Sequence, residues 1–186
     1  VIVAPDDFDL RTAAGAPRPT DPDLRLRPVT DPTRPRADRP QIRDLGFIVA
    51  DGKGYWDEVK RCGAHELRSI SPGAPAFEIL HTGLRYRLRL RITPDPRRDV
   101  LAIETTLETV DPDLRVYALL APHLGATGKG NRARVAKHRG RTILWAEQGP
   151  FSLALAAVDS AQQDAIMRAS AGYVGASDGW QDFARN

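Results

Sequence analysis

His123, Lys129 and Asn131 share one glycine-rich stretch, LRVYALLAPHLGATGKGN at residues 114–131. An apolar strand pattern running into such a turn is the setting of a phosphate loop. There, backbone amides cradle phosphates and a Ser or Thr hydroxyl meets magnesium. The spacing excludes that chemistry. The loop needs a glycine, four residues, then Gly-Lys followed by Ser or Thr; here Gly130 follows Gly128-Lys129, and Gly125 lies too near. His123 could act as a general acid or metal ligand, but no second histidine stands at ligand spacing. It reads as a structural histidine bonded inside the turn. Gly130 and Asn131 tolerate left-handed backbone and shape that turn.

The second candidate is SDGWQD at residues 177–182. An indole such as Trp180, flanked by Asp178, Gln181 and Asp182, can stack on a sugar ring while its neighbours bond the hydroxyls. The same group can equally be an anchor where two domains meet. Glu58, Glu66, Glu78, Glu104, Glu108 and Glu147 all fall in strand-like patterns, whose default is an exposed carboxylate. None has a second acid beside it in a glycine-rich setting, so no residue is assigned to catalysis. Trp56 and Trp145 also fall in strand patterns and read as core. No metal site and no cofactor are expected.

Composition narrows the class. Twenty-seven basic and 24 acidic residues give a net charge of +3, and the pI is about 9.3. The two signs are mixed along the chain, which describes a solvated surface and not a nucleic-acid tract. Cys62 is the single cysteine, so there is no internal disulfide and no cysteine zinc cluster. No apolar run approaches the roughly 18 residues of a membrane span, and no basic segment leads into an apolar one at the N-terminus. The expectation is a protein without nucleic-acid or membrane partners, with a cytoplasmic location favoured. Val1 stands first and Met167 is the one methionine, which reads as a piece of a longer protein.

The elements that must position these groups follow from alternation and turns. Residues 1–40 hold eight of the 15 prolines and one aromatic residue, Phe8. They are expected to be a poorly ordered arm, ahead of a domain at 41–186. Strands are expected at 45–50 and 55–61 around Asp51-Gly52-Lys53-Gly54, then at 65–70 and 77–82. The clearest strand alternates Tyr86, Leu88, Leu90 and Ile92 with Arg85, Arg87, Arg89 and Arg91. One face is core, and the arginine face is solvated. Further strands are expected at 100–109, 114–121, 134–139, 142–147 and 151–158. Residues 160–169 are the one helical expectation, capped by Asp159 or Ser160. About ten strands spaced by turns, without material for crossovers, predict an all-β antiparallel sandwich.

Three segments together carry a resemblance: QIRDLGFIVADGKGYWDEVKR at 41–61, APHLGATGKGN at 121–131 and AGYVGASDGWQDF at 171–183, with DPRRDVL at 95–101 between them. They resemble the N-terminal domain of bacterial and archaeal glucoamylases and glucodextranases, from about Pro35 onward. The resemblance implies an antiparallel β-supersandwich, similar to galactose mutarotase. It implies a partner, an (α/α)6 catalytic barrel that hydrolyses α-glucans with inversion using two carboxyl groups. Both of those belong to the barrel. On this reading Trp180, Asp178, Gln181, Asp182, His123 and Asn131 are candidates for a barrel interface, which is preferred, or for α-glucan contact. A freestanding carbohydrate-binding module, with Trp180 and Tyr55 or Trp56 as platforms, is the alternative. A mutarotase-like epimerase using His65, His81, His123 or Glu147 rests on fold analogy alone. The family's early aromatic-rich strands have no counterpart before Pro35. A truncated or frame-altered N-terminus, with a face left uncovered, is therefore expected.

Overall fold

The computed structural model describes residues 41–173 together with Ala176, Ser177, Gly179, Gln181 and Phe183. The expected arm at 1–40 lies outside the described residues. Among the described residues ten strands form, in chain order: β1 (Ile42–Ala50), β2 (Trp56–Glu58), β3 (Ala64–Ser69), β4 (Phe77–Thr82), β5 (Arg87–Pro94), β6 (Leu101–Glu108), β7 (Arg115–Pro122), β8 (Arg132–His138), β9 (Arg141–Gln148) and β10 (Phe151–Leu155). Every pairing is antiparallel, in three sheets ordered β2-β1-β7, β3-β4-β5-β6 and β10-β9-β8. The all-β antiparallel expectation holds.

The first two sheets make the sandwich. Period-two alternation turns Val49 and Val116 of one sheet toward Leu88, Leu90 and Ile103 of the other, with Tyr86 and Leu114 closing the layer. Leu88 is fully buried and Leu90 is 4% exposed. Each such side chain contributes about 1.5–3 kcal/mol when taken fully out of water. On the other face of β5, the arginines meet glutamates of the flanking strands. Arg89 lies 3.1 Å from Glu108, and Arg91 lies 3.2 Å from Glu78 and 3.8 Å from Glu104. The arginine face is thus solvated and internally neutralised. Arg85 departs from that row. It precedes the strand, covers the Tyr55 ring at 4.3 Å and pairs with Asp51 and Asp111. It thereby ties the β1–β2 turn to the β6–β7 turn.

Residues 160–169 form no helix, contrary to the sequence expectation. Asp159 does accept from the amides of Ala161 and Gln163 at 2.9 Å, as a cap would. The chain then turns back, with Val158 bridging Asp164. Asp164 Oδ2 accepts from the Thr142 amide and hydroxyl, each at 2.7 Å. These bonds, the hydroxyl's first, hold its carboxyl at about 2. Ile166 is the one large apolar side chain before Met167, too little to anchor a helix.

Candidate functional site

Two places gather the candidate residues: the glycine turn after β7, and the outer face of sheet β2-β1-β7. In the turn, His123 donates its amide to the Gln41 carbonyl at 2.9 Å, and a short 3-10 turn follows at Leu124–Ala126. Gly125 has φ 67° and Gly130 φ 78°, conformations that glycine takes without strain. Asn131 spans the loop. Its Oδ1 accepts from the Leu124 amide at 3.0 Å, and its Nδ2 donates to the Thr127 carbonyl at 2.7 Å. The loop is braced from outside by Gln41, whose Oε1 accepts from the Gly125 amide, and by Gln148, whose Nε2 donates to the Lys129 carbonyl. Backbone amides that a phosphate loop would leave free are consumed here by side chains. Asn131 serves the loop itself. Nδ1 of His123 is buried without a hydrogen-bond partner among the described residues, so the expected bond inside the turn is not made through that atom.

The outer face is a different kind of place. Ile48 stands opposite Glu58 on one side and Tyr117 on the other, so the three side chains share it, and Ala50, Trp56 and Leu119 extend it. It is not solvated: Ile48 is 0%, Ala50 2% and Glu58 4% exposed. The C-terminal segment packs there. The Phe183 ring meets Tyr117 edge-on at 4.9 Å and lies 6.2 Å from Trp56. Gly179 lies so close to β7 that a Cβ at that position would stand 2.4 Å from Leu119 Cδ2. Just before it, the Tyr173 amide donates to Ser177 Oγ at 3.0 Å, closing a turn.

The sequence candidates are therefore divided. Trp180, Asp178 and Asp182 lie outside the described residues. Gln181 is half-buried between Gly179 and Phe183. His123 and Asn131 sit in the glycine turn. Trp56 is engaged with Phe183. The Tyr55 hydroxyl donates to Asp57 at 2.7 Å, and burial followed by that bond raises its pKa. Trp145 is half-buried against the smaller core of Ile143 and Ala156, with its indole N–H donated to Glu147 at 2.8 Å. Of the epimerase parts, His65 and His81 are cross-strand neighbours, but His81 is 1% exposed and out of a substrate's reach.

Two carboxylates depart from the exposed default: Glu78 is 14% exposed, among Arg68, Arg89 and Arg91, and Glu58 lies deeper still. Glu58 is buried, because its face of β2 is covered, and it is held by Arg61 Nε at 2.7 Å and Lys60 Nζ at 3.5 Å. The other five glutamates also face cations: Glu66 and Glu78 meet Arg68, Glu104 meets Arg91, Glu108 meets Arg89, and Glu147 meets Arg134. A general acid for glycoside cleavage is kept neutral by apolar surroundings. No described glutamate stands in such a pocket without a cation. Sequence reasoning missed Gly179, Phe183 and Tyr117 as a packing unit. The signal was the glycine and aromatic residues bracketing Trp180.

Comparison with known proteins places this geometry. The profile of the family described as glucodextranase, domain N, matches residues 28–186. The glucoamylase of Clostridium sp. (strain G0005) is 23% identical over 126 residues, covering 65% of this chain and 18% of the relative. Among solved structures, a bacterial glucoamylase complexed with acarbose shares the fold, with a TM-score of 0.56 and 22% identity over 60% of this chain and 17% of that one. The chain thus spans less than a fifth of either relative. A match across so much of its own length, on the same fold, makes the chain a member of the glucodextranase domain N family.

Proposed function

We propose that this chain is a non-catalytic accessory domain of a glucoamylase-like glycoside hydrolase, packing against an (α/α)6 barrel that carries the hydrolysis. The observation that carries the reading is the family match over 28–186 in a chain that corresponds to under a fifth of a glucoamylase. The glutamates agree with it, since all six are engaged by arginine or lysine. Inverting hydrolysis needs one carboxylic acid and one carboxylate flanking a substrate, about 6.5–9.5 Å apart. Residues 41–186 are the unit that packs, with residues 1–40 ahead of it.

The barrel-facing part on this reading is the segment around Trp180. Gly179 lies against Leu119 of β7, and Phe183 packs on Tyr117 of β7 and Trp56 of β2. His123 and Asn131, in the glycine turn after β7, are the further candidates for that interface. The test is an assay of the purified 186 residues on maltose and maltooligosaccharides. No glucose release is expected. Release that persists after contaminating enzyme is excluded overturns the proposal. Titration with maltooligosaccharides at millimolar concentration separates the binding-module alternative: heat and a tryptophan fluorescence change would favour that module, and neither is expected.

A further inference from the structure

β3 is an edge of sheet β3-β4-β5-β6: among the described residues it pairs with β4 alone, and all six of its residues are exposed. Such an edge is commonly guarded by a proline, a bulge or lysines. β3 carries none of these. Its register against β4 runs unbroken from Ala64 to Ser69, and its two charged residues, Glu66 and Arg68, are of opposite sign. Their own contact, at 3.5 Å with both side chains more than half exposed, is a weak surface pair. Between them Leu67 is 69% exposed. Arg68 is also the last member of a row that crosses the sheet, in which Glu104, Arg91, Glu78 and Arg68 stand opposite one another from β6 to β3. The row alternates in sign, with Arg91 3.8 Å from Glu104 and 3.2 Å from Glu78, and Arg68 3.6 Å from Glu78. Its next position, beyond the edge of β3, calls for an acid.

We propose that a second copy of this chain supplies it, pairing β3 with β3 antiparallel about a two-fold axis at Leu67. An isologous contact of this kind brings the same strand to the axis from both sides. With Leu67 opposite Leu67, Glu66 of each copy stands opposite Arg68 of the other, His65 opposite Ser69, and Ala64 opposite Ile70, which is 41% exposed in the single chain. Arg68 then lies between its own Glu78 and Glu66 of the second copy, so the alternating row continues across the axis. The charges pin that register. The axis is normal to the sheet and keeps inner face beside inner face, so it passes through a residue and not between two. Moving it to Glu66 sets glutamate on glutamate, and moving it to Arg68 sets arginine on arginine. Other edges lack this self-complementarity. β6, across the same sheet, carries Glu104 and Glu108 with no base, and β8 carries Arg132, Arg134 and Lys137 with no acid.

Sedimentation velocity of the full 186-residue chain tests it. Six residues make a small interface, so the dimer fraction is expected to rise with concentration between about 10 μM and 1 mM. Glu66→Arg and Arg68→Glu each set like charges across the axis and are each expected to weaken association by about tenfold or more. An equimolar mixture of the two variants is expected to recover it, because each then faces the opposite charge. Should Arg68→Glu fail to fold, since it also deprives Glu78 of a partner, Glu66→Arg alone decides. A chain that stays monomeric up to about 1 mM overturns the proposal. So does a dimer that Glu66→Arg leaves unchanged, or a mixture of the two folded variants that stays apart. A monomer whose amides at 64–69 all resist hydrogen exchange overturns it too, and gives the edge to another segment of the chain.

Discussion

The two sheets of the sandwich present contrasting outer faces. On β3-β4-β5-β6 the outer face is a ladder of arginine and glutamate in water, with Arg89 and Arg91 between Glu78, Glu104 and Glu108. On β2-β1-β7 the outer face is covered, with Ile48 at 0% exposed and Phe183 packed edge-on against Tyr117 and near Trp56. One face ends the molecule, and the other is an internal layer. The difference teaches where a further domain can be coupled. Charge pairs in water couple weakly, whereas a face that already buries aromatic rings transmits any shift of the segment lying on it.

Substitutions break or sharpen this contrast. Between the sheets, Leu88→Ala sets the upper scale: a loss of about 2–5 kcal/mol is expected in urea unfolding, because the site is closed on all sides. On the covered face, Phe183→Ala is expected to cost about 1–2 kcal/mol, since the ring is half-buried, and to alter the fluorescence of Trp56. On the charged face, Arg89→Ala is expected to cost less than about 1 kcal/mol, with the difference shrinking as salt is added. An Arg89 effect as large as that of Phe183 would erase the distinction between the faces.

The smallest effect at neutral pH is expected at His81, on the inner side of β4. Burial, and then the neighbouring charge of His65, push its imidazole below the usual histidine range. Both its ring nitrogens lack a hydrogen-bond partner among the described residues. A depressed histidine is neutral when folded and takes a proton when unfolded. Stability is therefore full above an unfolded value of about 6.5 and declines as pH falls below it. His81→Leu is expected to leave stability at pH 8 nearly unchanged and to reduce the decline between pH 7 and 5. A decline of unchanged slope in the variant would assign the pH sensitivity to other groups.

Much of the fold was legible because alternation is a local signal. Tyr86, Leu88, Leu90 and Ile92 declared both a strand and its buried face, and 77–82 was placed on β4 without shift. Turn chemistry at 51–54 and 71–73 set the breaks between strands. What failed was context. Residues 160–169 contain good helix formers, yet Asp164 gains more by capping the Thr142 backbone and hydroxyl than a short helix with one apolar contact returns. Glu58 carries a surface residue's chemistry on a face that a segment over 110 residues later covers, and no local pattern announces that. The glycine turn was identified as a structural loop from motif spacing, but the bracing by Gln41 and Gln148 comes from distant strands.

The pairing of β1 with β7 has a consequence for how the chain is made. β3 to β6 and β8 to β10 are meanders whose partners follow one another closely, so each hairpin closes soon after it is synthesised. β1 must wait while the whole of β2 to β6 is added before its main partner exists. Closing that long loop costs chain entropy that the short hairpins do not meet. Until residues 115–122 have been made, that edge of β1 has no strand to pair with.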